Sequence, residues 1–172
     1  MRGHIILSHG SDSGPDATKV SVLAAVAESL GWSTVRPDYR EDDAKGHAGS
    51  VAPRLARLAA AIGQAPAKPV LVGSSMGAFV SGLASLDAPA AGLFLLALPT
   101  QIPGYPRAFG AAADLPSFLV HGYADDVCPV DEAFAFARGH AMPTLLVQDD
   151  HRLGNTLPAI EAEFRRFLEN LA

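Results

Sequence analysis

The chain has 172 residues, of which 49% are hydrophobic and 18% are charged, and its formal net charge is −5. This length and composition predict a single globular domain over residues 1–172 and exclude a disordered chain. The acidic balance and the scattered Lys and Arg residues argue against a nucleic-acid partner.

The cysteine content and the lengths of the apolar runs narrow the class of protein further. Cys128 is the only cysteine, so we expect neither an internal disulfide nor a cysteine-based metal site. No apolar run reaches membrane-spanning length, and residues 5–7 are too few for a signal-peptide core. The default expectation is a cytoplasmic protein without a membrane partner, and a homo-oligomer is compatible with the sequence.

Short apolar runs alternate with segments of helical periodicity along the chain. The runs predict six buried strands at residues 4–8, 33–36, 70–72, 91–98, 117–121 and 144–148. Helices are predicted from a cap at Ser13 to Leu30, over 51–62, from Met76 onward, over 131–138 and over 158–171. The polar residues 38–50 and the Pro- and Gly-rich residues 99–116 are predicted loops. This alternation predicts an α/β fold in which helices cover both faces of a mainly parallel six-stranded sheet, as a three-layer α/β/α sandwich.

The stretch from Gly73 to Gly77 reads Gly-Ser-Ser-Met-Gly and follows a buried strand. This is the G-x-S-x-G order of a nucleophile elbow, in which a serine stands on a sharp turn from strand to helix. The two glycines are needed because a side chain at either position would crowd the neighbouring backbone. Ser75 is therefore the candidate nucleophile, and the amide of Met76 can donate to a developing oxyanion. Alone, the pattern also fits a small-residue turn of any α/β protein.

Reactive side chains follow other predicted strands as well, and the carboxyl ends of parallel strands meet at one edge of a sheet. His9-Gly10-Ser11 follows the first strand, Asp125 follows the fifth, and His151 follows the sixth. A nucleophile, an acid and a base therefore arrive at the same edge. Their order along the chain, Ser75 then Asp125 then His151, is that of α/β-hydrolases rather than of chymotrypsin or subtilisin.

The sequence resembles the α/β-hydrolase superfamily over nearly its whole length. The landmarks are His9-Gly10, the elbow, the run from His121 to Pro129, and Asp150-His151. The run His-Gly-Tyr-Ala-Asp-Asp-Val-Cys-Pro is similar to the H-G-x-x-D-x-x-x-P stretch of compact esterases and dienelactone-hydrolase-like proteins, in which the aspartate is the triad acid. The resemblance implies that Asp125 is the acid and that the fold is a minimal α/β-hydrolase without a cap domain. Dienelactone hydrolases carry cysteine at the elbow, whereas the serine here favours ester chemistry.

The predicted chemistry gives each group one role. His151 takes the proton of the Ser75 hydroxyl during attack on a carbonyl carbon and returns it to the leaving alcohol. Asp125 holds the imidazole tautomer and stabilises the imidazolium. A second oxyanion donor, besides the Met76 amide, is predicted in the loop after the first strand, where the backbone N–H of Ser11 has the matching position.

Other residues compete for the acid and base roles. Asp126 would take the acid role after a register shift of one residue. Asp149 and Asp150 are too close to His151 in sequence to bond it easily, and they are interpreted as solvated loop carboxylates. His140 precedes the last strand, which places it at the wrong edge of the sheet.

Apolar residues after the fourth strand are candidates for a substrate pocket. Leu98, Ile102 and Tyr105 could line an acyl or alcohol pocket, although a surface loop packed by its own prolines fits the segment equally well. Whether residues 99–116 form a lid stays open.

The sequence thus predicts a serine hydrolase that cleaves small carboxylic esters through an acyl-enzyme. This serine-hydrolase chemistry needs no metal and no cofactor, and we expect none. Thioesters and activated amides share this chemistry, and the sequence does not rank them. The alternative from another class is a non-catalytic interaction module on the same scaffold. A lyase or peroxidase-like activity would reuse the triad with a different pocket.

Overall fold

The computed structural model of the protein describes residues 2–171, which contain a single six-stranded sheet. The strands are β1 (His4–Ser8), β2 (Ser33–Val35), β3 (Val70–Ser74), β4 (Gly92–Leu96), β5 (Ser117–Gly122) and β6 (Thr144–Val147). All neighbours pair in parallel, in the order β2-β1-β3-β4-β5-β6. The predicted parallel α/β fold is confirmed, and its carboxyl ends form one edge.

Helices cover both faces of the sheet. They are α1 (Thr18–Ser29), α2 (Arg40–Asp43), α3 (Gly46–Gln64), α4 (Met76–Asp87), α5 (Val130–Gly139) and α6 (Leu157–Leu171). Because side chains alternate along a strand, each strand serves two cores. In β3, Val70 and Val72 pack in the cluster with α1 and α6, whereas Leu71 packs in the cluster with α3, α4 and α5. Burial on both faces explains why the strands read as continuous apolar runs.

The polar stretch 38–50 is not the predicted loop. Residues Arg40–Asp43 form α2, and α3 begins at Gly46 and continues through Pro53. The carboxylates of α2 pair with arginines of α3, Asp43 with Arg54 and Asp42 with Arg57. The sequence predicts a loop for these charged residues, whereas in the structure their ion pairs connect α2 to α3.

The first helix begins later than predicted, at Thr18, with Ala17 preceding it. Ser13 does not cap it. The Ser13 hydroxyl instead donates to the carbonyl oxygen of Gly10 at 2.9 Å, so it stabilises the β1–α1 loop. The hydrogen bond of a serine near a helix start can thus serve the preceding turn rather than the helix.

Residues 99–116 contain neither helix nor strand, as predicted. Ile102 and Phe109 are nevertheless buried, and the Phe109 ring packs on Phe79 with 6.2 Å between ring centroids. The segment is therefore packed against α4. Within residues 2–171, no helix combines the length and the apolar character needed to cross a membrane.

Phe94 is the centre of an aromatic cluster in the α1–α6 core, so we expect Phe94→Ala to lower the free energy of unfolding by about 3–5 kcal/mol. Its fully buried ring lies 4.9 Å from Phe164 and 5.5 Å from Phe118, between centroids. Urea unfolding followed by circular dichroism measures the change. Phe134, whose exposed fraction is 41%, is the matched control, and Phe134→Ala should change stability by less than about 0.5 kcal/mol. Equal losses in the two variants would contradict the packing described.

Candidate active site

Ser75 stands on a strained turn between β3 and α4. Its φ is 54° and its ψ is −120°, a conformation that residues with a side chain rarely adopt. A Cβ atom at Gly73 would overlap the carbonyl oxygen of Gly77, and one at Gly77 would overlap that of Ser8. The two glycines are therefore required for backbone contact, and the turn exposes the Ser75 hydroxyl at the sheet edge.

Ser75, His151 and Asp125 form one chain of hydrogen bonds. The Ser75 Oγ lies 3.0 Å from His151 Nε2, and His151 Nδ1 lies 2.8 Å from Asp125 Oδ2. The Asp125 carboxylate is fully buried and the His151 ring is 19% exposed. With the proton on Nδ1 held by the carboxylate, Nε2 is free to accept the serine proton. The structure thus brings together the three residues selected from the sequence.

Asp125 is held as a carboxylate by several donors. Besides the His151 ring, the backbone N–H groups of Val127 and Cys128 donate to Oδ1 at 3.0 and 2.7 Å. Burial alone would raise the pKa of Asp125, but the hydrogen bonds from His151, Cys128 and Val127 outweigh it and leave that pKa below its ordinary value. Asp125 is therefore ionised where it faces the imidazole.

His121 is fully buried and lies against the Asp125 carboxylate. The Leu98 N–H donates to its Nδ1 at 3.2 Å, so the ring proton sits on Nε2. Nε2 donates to the carbonyl oxygen of Cys128 at 2.8 Å and lies 3.3 Å from Asp125 Oδ2. Burial lowers the pKa of His121, which favours this neutral form. His121 is thus a buried structural histidine that fixes the Asp125 loop.

The rival carboxylates do not reach His151 in the hydrogen-bond network. Asp126 and Asp150 are exposed, and Asp150 accepts from the Arg152 N–H at 2.8 Å. Asp149 is buried rather than solvated, which corrects the interpretation from sequence. It accepts from the backbone N–H groups of Asn155 and Thr156, both at 2.9 Å, and so folds the loop that carries His151.

Two backbone amides are available beside the serine. Met76 is the first residue of α4, so its N–H has no acceptor in a preceding helical turn. Ser11 belongs to the β1–α1 loop, which passes close to the elbow: a Cβ atom at Gly10 would lie 3.4 Å from the Ser75 Cβ. Within residues 2–171, neither amide takes part in a hydrogen bond. Both predicted oxyanion donors therefore stay free at this edge.

The cavity next to Ser75 lies on the β1–α1 side and has a volume of about 380 Å³. Polar and small residues dominate its lining, which includes Ser11, Asp12, Ser13, Thr18, Lys19, Ser75, His151 and Arg152. The predicted pocket residues lie elsewhere. Leu98 and Ile102 are buried in the α3–α4–α5 core, with Tyr105 packed against it. The apolar side chains after β4 thus pack on α4 instead of lining this cavity.

Cys128 lies against the same cluster. Its sulfur and the ligand atoms of Asp125 and His151 are within 4.8 Å of one another, a spacing that a metal ion could bridge. Burial, followed by the Asp125 charge, raises the pKa of the Cys128 thiol to about 12. The thiol is therefore protonated at neutral pH when no metal ion is bound.

No protein-family model matches the sequence, and no curated protein does so either. Among solved structures, a protein from Xanthomonas campestris pv. campestris, described as belonging to the alpha/beta hydrolase superfamily, is 42% identical to this chain. The match covers 98% of both chains with a TM-score of 0.93. The chain belongs to the α/β-hydrolase superfamily. Membership supports a hydrolase activity in general.

More distant structures share the fold of this α/β-hydrolase. An alpha-beta serine hydrolase homologue from Coxiella burnetii is 23% identical, with a TM-score of 0.74 over 100% of this chain and 86% of the other. An α/β serine hydrolase without a lid, from Xanthomonas campestris, is 17% identical, with a TM-score of 0.71 over 96% of this chain and 81% of the other.

Sequence reasoning assigned no role to two basic residues of this hydrolase. Lys19, in the first turn of α1, donates to the carbonyl oxygens of His151 and Arg152 at 3.1 and 3.0 Å, so it ties the His151 loop to α1. Arg54 is fully buried and contacts the loop after β1. A signal for Arg54 existed, because it falls on the buried stripe of α3 with Val51 and Leu58. An arginine in such a stripe indicates a buried polar partner.

We expect Gly77→Ala to destabilise the protein by about 2–4 kcal/mol and to abolish the elbow geometry, because its Cβ overlaps the Ser8 carbonyl oxygen. Thermal unfolding measures the loss. The matched control is Gly63→Ala near the end of α3, where a Cβ atom meets open space. That substitution should stabilise the protein by about 0.5–1 kcal/mol. Native stability in Gly77→Ala would contradict the close packing described.

Proposed function

We propose that this α/β-hydrolase is a serine hydrolase that cleaves carboxylic esters of small acyl groups through an acyl-enzyme. The observation that supports it most is the continuous hydrogen-bonded chain from Ser75 Oγ through His151 to the buried Asp125 carboxylate. A serine hydroxyl is a weak nucleophile unless an adjacent base removes its proton. The arrangement supplies that base, and a carboxylate that stabilises the charge it acquires.

Acylation begins with attack of the Ser75 oxygen on the ester carbonyl carbon, while its proton passes to His151 Nε2. The carbonyl oxygen becomes an oxyanion, which accepts hydrogen bonds from the Met76 and Ser11 amides. The tetrahedral intermediate collapses as the bond to the alcohol oxygen breaks and His151 returns the proton to that oxygen. An alcohol leaves, and the acyl group stays esterified to Ser75.

Deacylation repeats these steps with water. His151 Nε2 takes a proton from a water molecule whose oxygen attacks the acyl carbon, and the oxyanion is stabilised by the same two amides. Collapse breaks the bond to Ser75 Oγ, which recovers its proton from His151. The product is a carboxylic acid, and the enzyme is restored.

The size of the cavity, about 380 Å³, supports a small acyl or alcohol group. Lys19 and Arg152 bring positive charge to the lining, and burial lowers the pKa of Lys19 although Asp125, Asp150 and Asp149 oppose this. A long alkyl chain gains free energy only where it buries against apolar surface, at about 0.8 kcal/mol per methylene. Ala17 and Val20 are the only apolar side chains among the described residues that line this cavity.

Thioesters and activated amides remain candidates for the same groups, since acylation and deacylation of Ser75 use the same attack and proton transfers for each of them. The alternative of a non-catalytic interaction module explains fewer features of the site. Such a module has no use for a strained serine, a buried carboxylate and a histidine aligned between them.

Incubation with a fluorophosphonate should produce a single covalent adduct on Ser75, read by intact-protein mass spectrometry. Ser75→Ala should remove the adduct, and His151→Ala should slow its formation by at least about 100-fold because the general base is lost. Ser74→Ala, at the buried neighbour, is the control and should label like the native chain. A folded native chain that stays unlabelled would favour the interaction module instead.

With p-nitrophenyl esters, kcat/KM should be highest for acetate and should fall towards octanoate, because Ala17 and Val20 are the only apolar side chains that line the described cavity. Initial rates below saturation measure this order. A kcat/KM that rises steadily with chain length would show an apolar acyl site and contradict the assignment of this cavity to the acyl group.

A further inference from the structure

Three hydrogen-bond donors converge on the carbonyl oxygen of Gly10. They are His9 Nδ1 at 2.7 Å, the Ser13 hydroxyl at 2.9 Å and Arg54 Nη2 at 3.1 Å. A backbone carbonyl has two lone pairs, so three donors saturate it. The same peptide unit carries the N–H of Ser11, and in a trans peptide the C=O and N–H point in opposite directions. Fixing the Gly10 oxygen therefore fixes the direction of the Ser11 N–H.

The tautomer of His9 is set by a second contact. The Tyr39 backbone N–H donates to His9 Nε2 at 3.0 Å, so Nε2 carries no proton and Nδ1 carries the one donated to Gly10. His9 is fully buried, and burial lowers its pKa, which keeps the ring neutral. The imidazole thus acts as a fixed donor to the loop rather than as a titrating group.

Arg54 anchors the same loop with a buried charge. Its guanidinium binds both oxygens of Asp43 at 2.7 Å, donates to the His9 carbonyl oxygen at 2.7 Å, and lies 4.6 Å from the Tyr39 ring centroid. Burying a charge is costly unless it is paired and fully hydrogen-bonded. Apolar residues fill much of the rest of this stripe of α3, and a leucine would serve packing there without that cost. The hydrogen bonds from Arg54 to the carbonyl oxygens of His9 and Gly10 explain why an arginine stands at this position.

We propose that Arg54 is a positioning residue that, together with His9, holds the Gly10–Ser11 peptide so that the Ser11 N–H donates to the oxyanion formed at Ser75. The inference rests on the proposed serine hydrolase function. A cationic donor on the Gly10 oxygen also polarises the peptide, which strengthens its N–H as a donor. Arg54 itself touches no reacting atom.

The test compares Arg54→Met with Arg57→Met. Arg57 lies one turn further along α3 and pairs with Asp42 and Glu41, away from the loop after β1. In Arg54→Met we expect kcat for an ester substrate to fall by about 10- to 100-fold with little change in KM, since an oxyanion donor acts mainly in the transition state. Inhibition by a trifluoromethyl ketone, whose adduct with Ser75 carries an oxyanion, should weaken by a similar factor. Arg57→Met should leave both values within about threefold of native.

A second variant covers the case in which Arg54→Met does not fold. Arg54→Lys keeps a charge for Asp43 but cannot contact both carbonyl oxygens with a fixed fork, so kcat and ketone inhibition should again weaken while KM stays the same. A folded variant of either kind with native kcat and native inhibition overturns the proposal. Should neither fold, the Ser11 amide proton of the 15N-labelled native chain should move downfield when the ketone adduct forms, and an unmoved resonance overturns it.

Different results would disprove the serine hydrolase function and the role of Arg54. A native chain that forms no adduct with the fluorophosphonate or the ketone disproves the serine hydrolase function. A native chain that reacts, with an Arg54 variant that reacts equally well, disproves only the role of Arg54.

Discussion

The site depends on close backbone packing between the elbow and β1. Gly77 lies so near the Ser8 carbonyl that no side chain fits, and this contact holds Ser75 at a φ of 54°. The strain is offset by hydrogen bonds on both sides of the turn, from the Ser75 N–H to Leu96 and from the Phe79 N–H to Ser75, at 2.9 and 3.1 Å. The same approach brings the loop after β1 beside the serine. Ser75 and the loop after β1 are therefore placed by one contact.

Asp125 and His151 are also positioned together, because the loops after β5 and β6 are hydrogen-bonded to each other. The Ala124 N–H donates to the Asp149 carbonyl oxygen at 3.0 Å, and a Cβ atom at Gly122 would overlap that oxygen. The Asp149 side chain in turn binds the backbone of Asn155 and Thr156 ahead of α6. His151 lies between these anchors, and Lys19 adds a third from α1. Its position is set by the backbone rather than by the bond to Asp125 alone.

Residues at strand ends were predictable, and residues whose role depends on tertiary partners were not. Ser75, Asp125 and His151 each follow a strand of a parallel sheet, so the topology alone brings them to one edge. The charged residues of α2 read as a loop because nothing in the sequence pairs them with Arg54 and Arg57. An apolar residue after a strand can face the core or a cavity, and Leu98 and Ile102 face the core. Asp149 can likewise be buried only because the N–H groups of Asn155 and Thr156 donate to its carboxylate.

The two sides of Ser75 consequently differ in chemistry. On one side, Phe79 and Phe109 pack the segment after β4 against α4, in an apolar cluster. On the other, the His9 and Arg54 contacts replace apolar packing beneath the loop after β1, and the open space there is lined by hydroxyls and charges. Because a buried arginine requires acceptors, the groups that hold the loop after β1 are polar. The contacts that fix this loop and the polar side chains of the adjacent cavity therefore lie on the same side of Ser75.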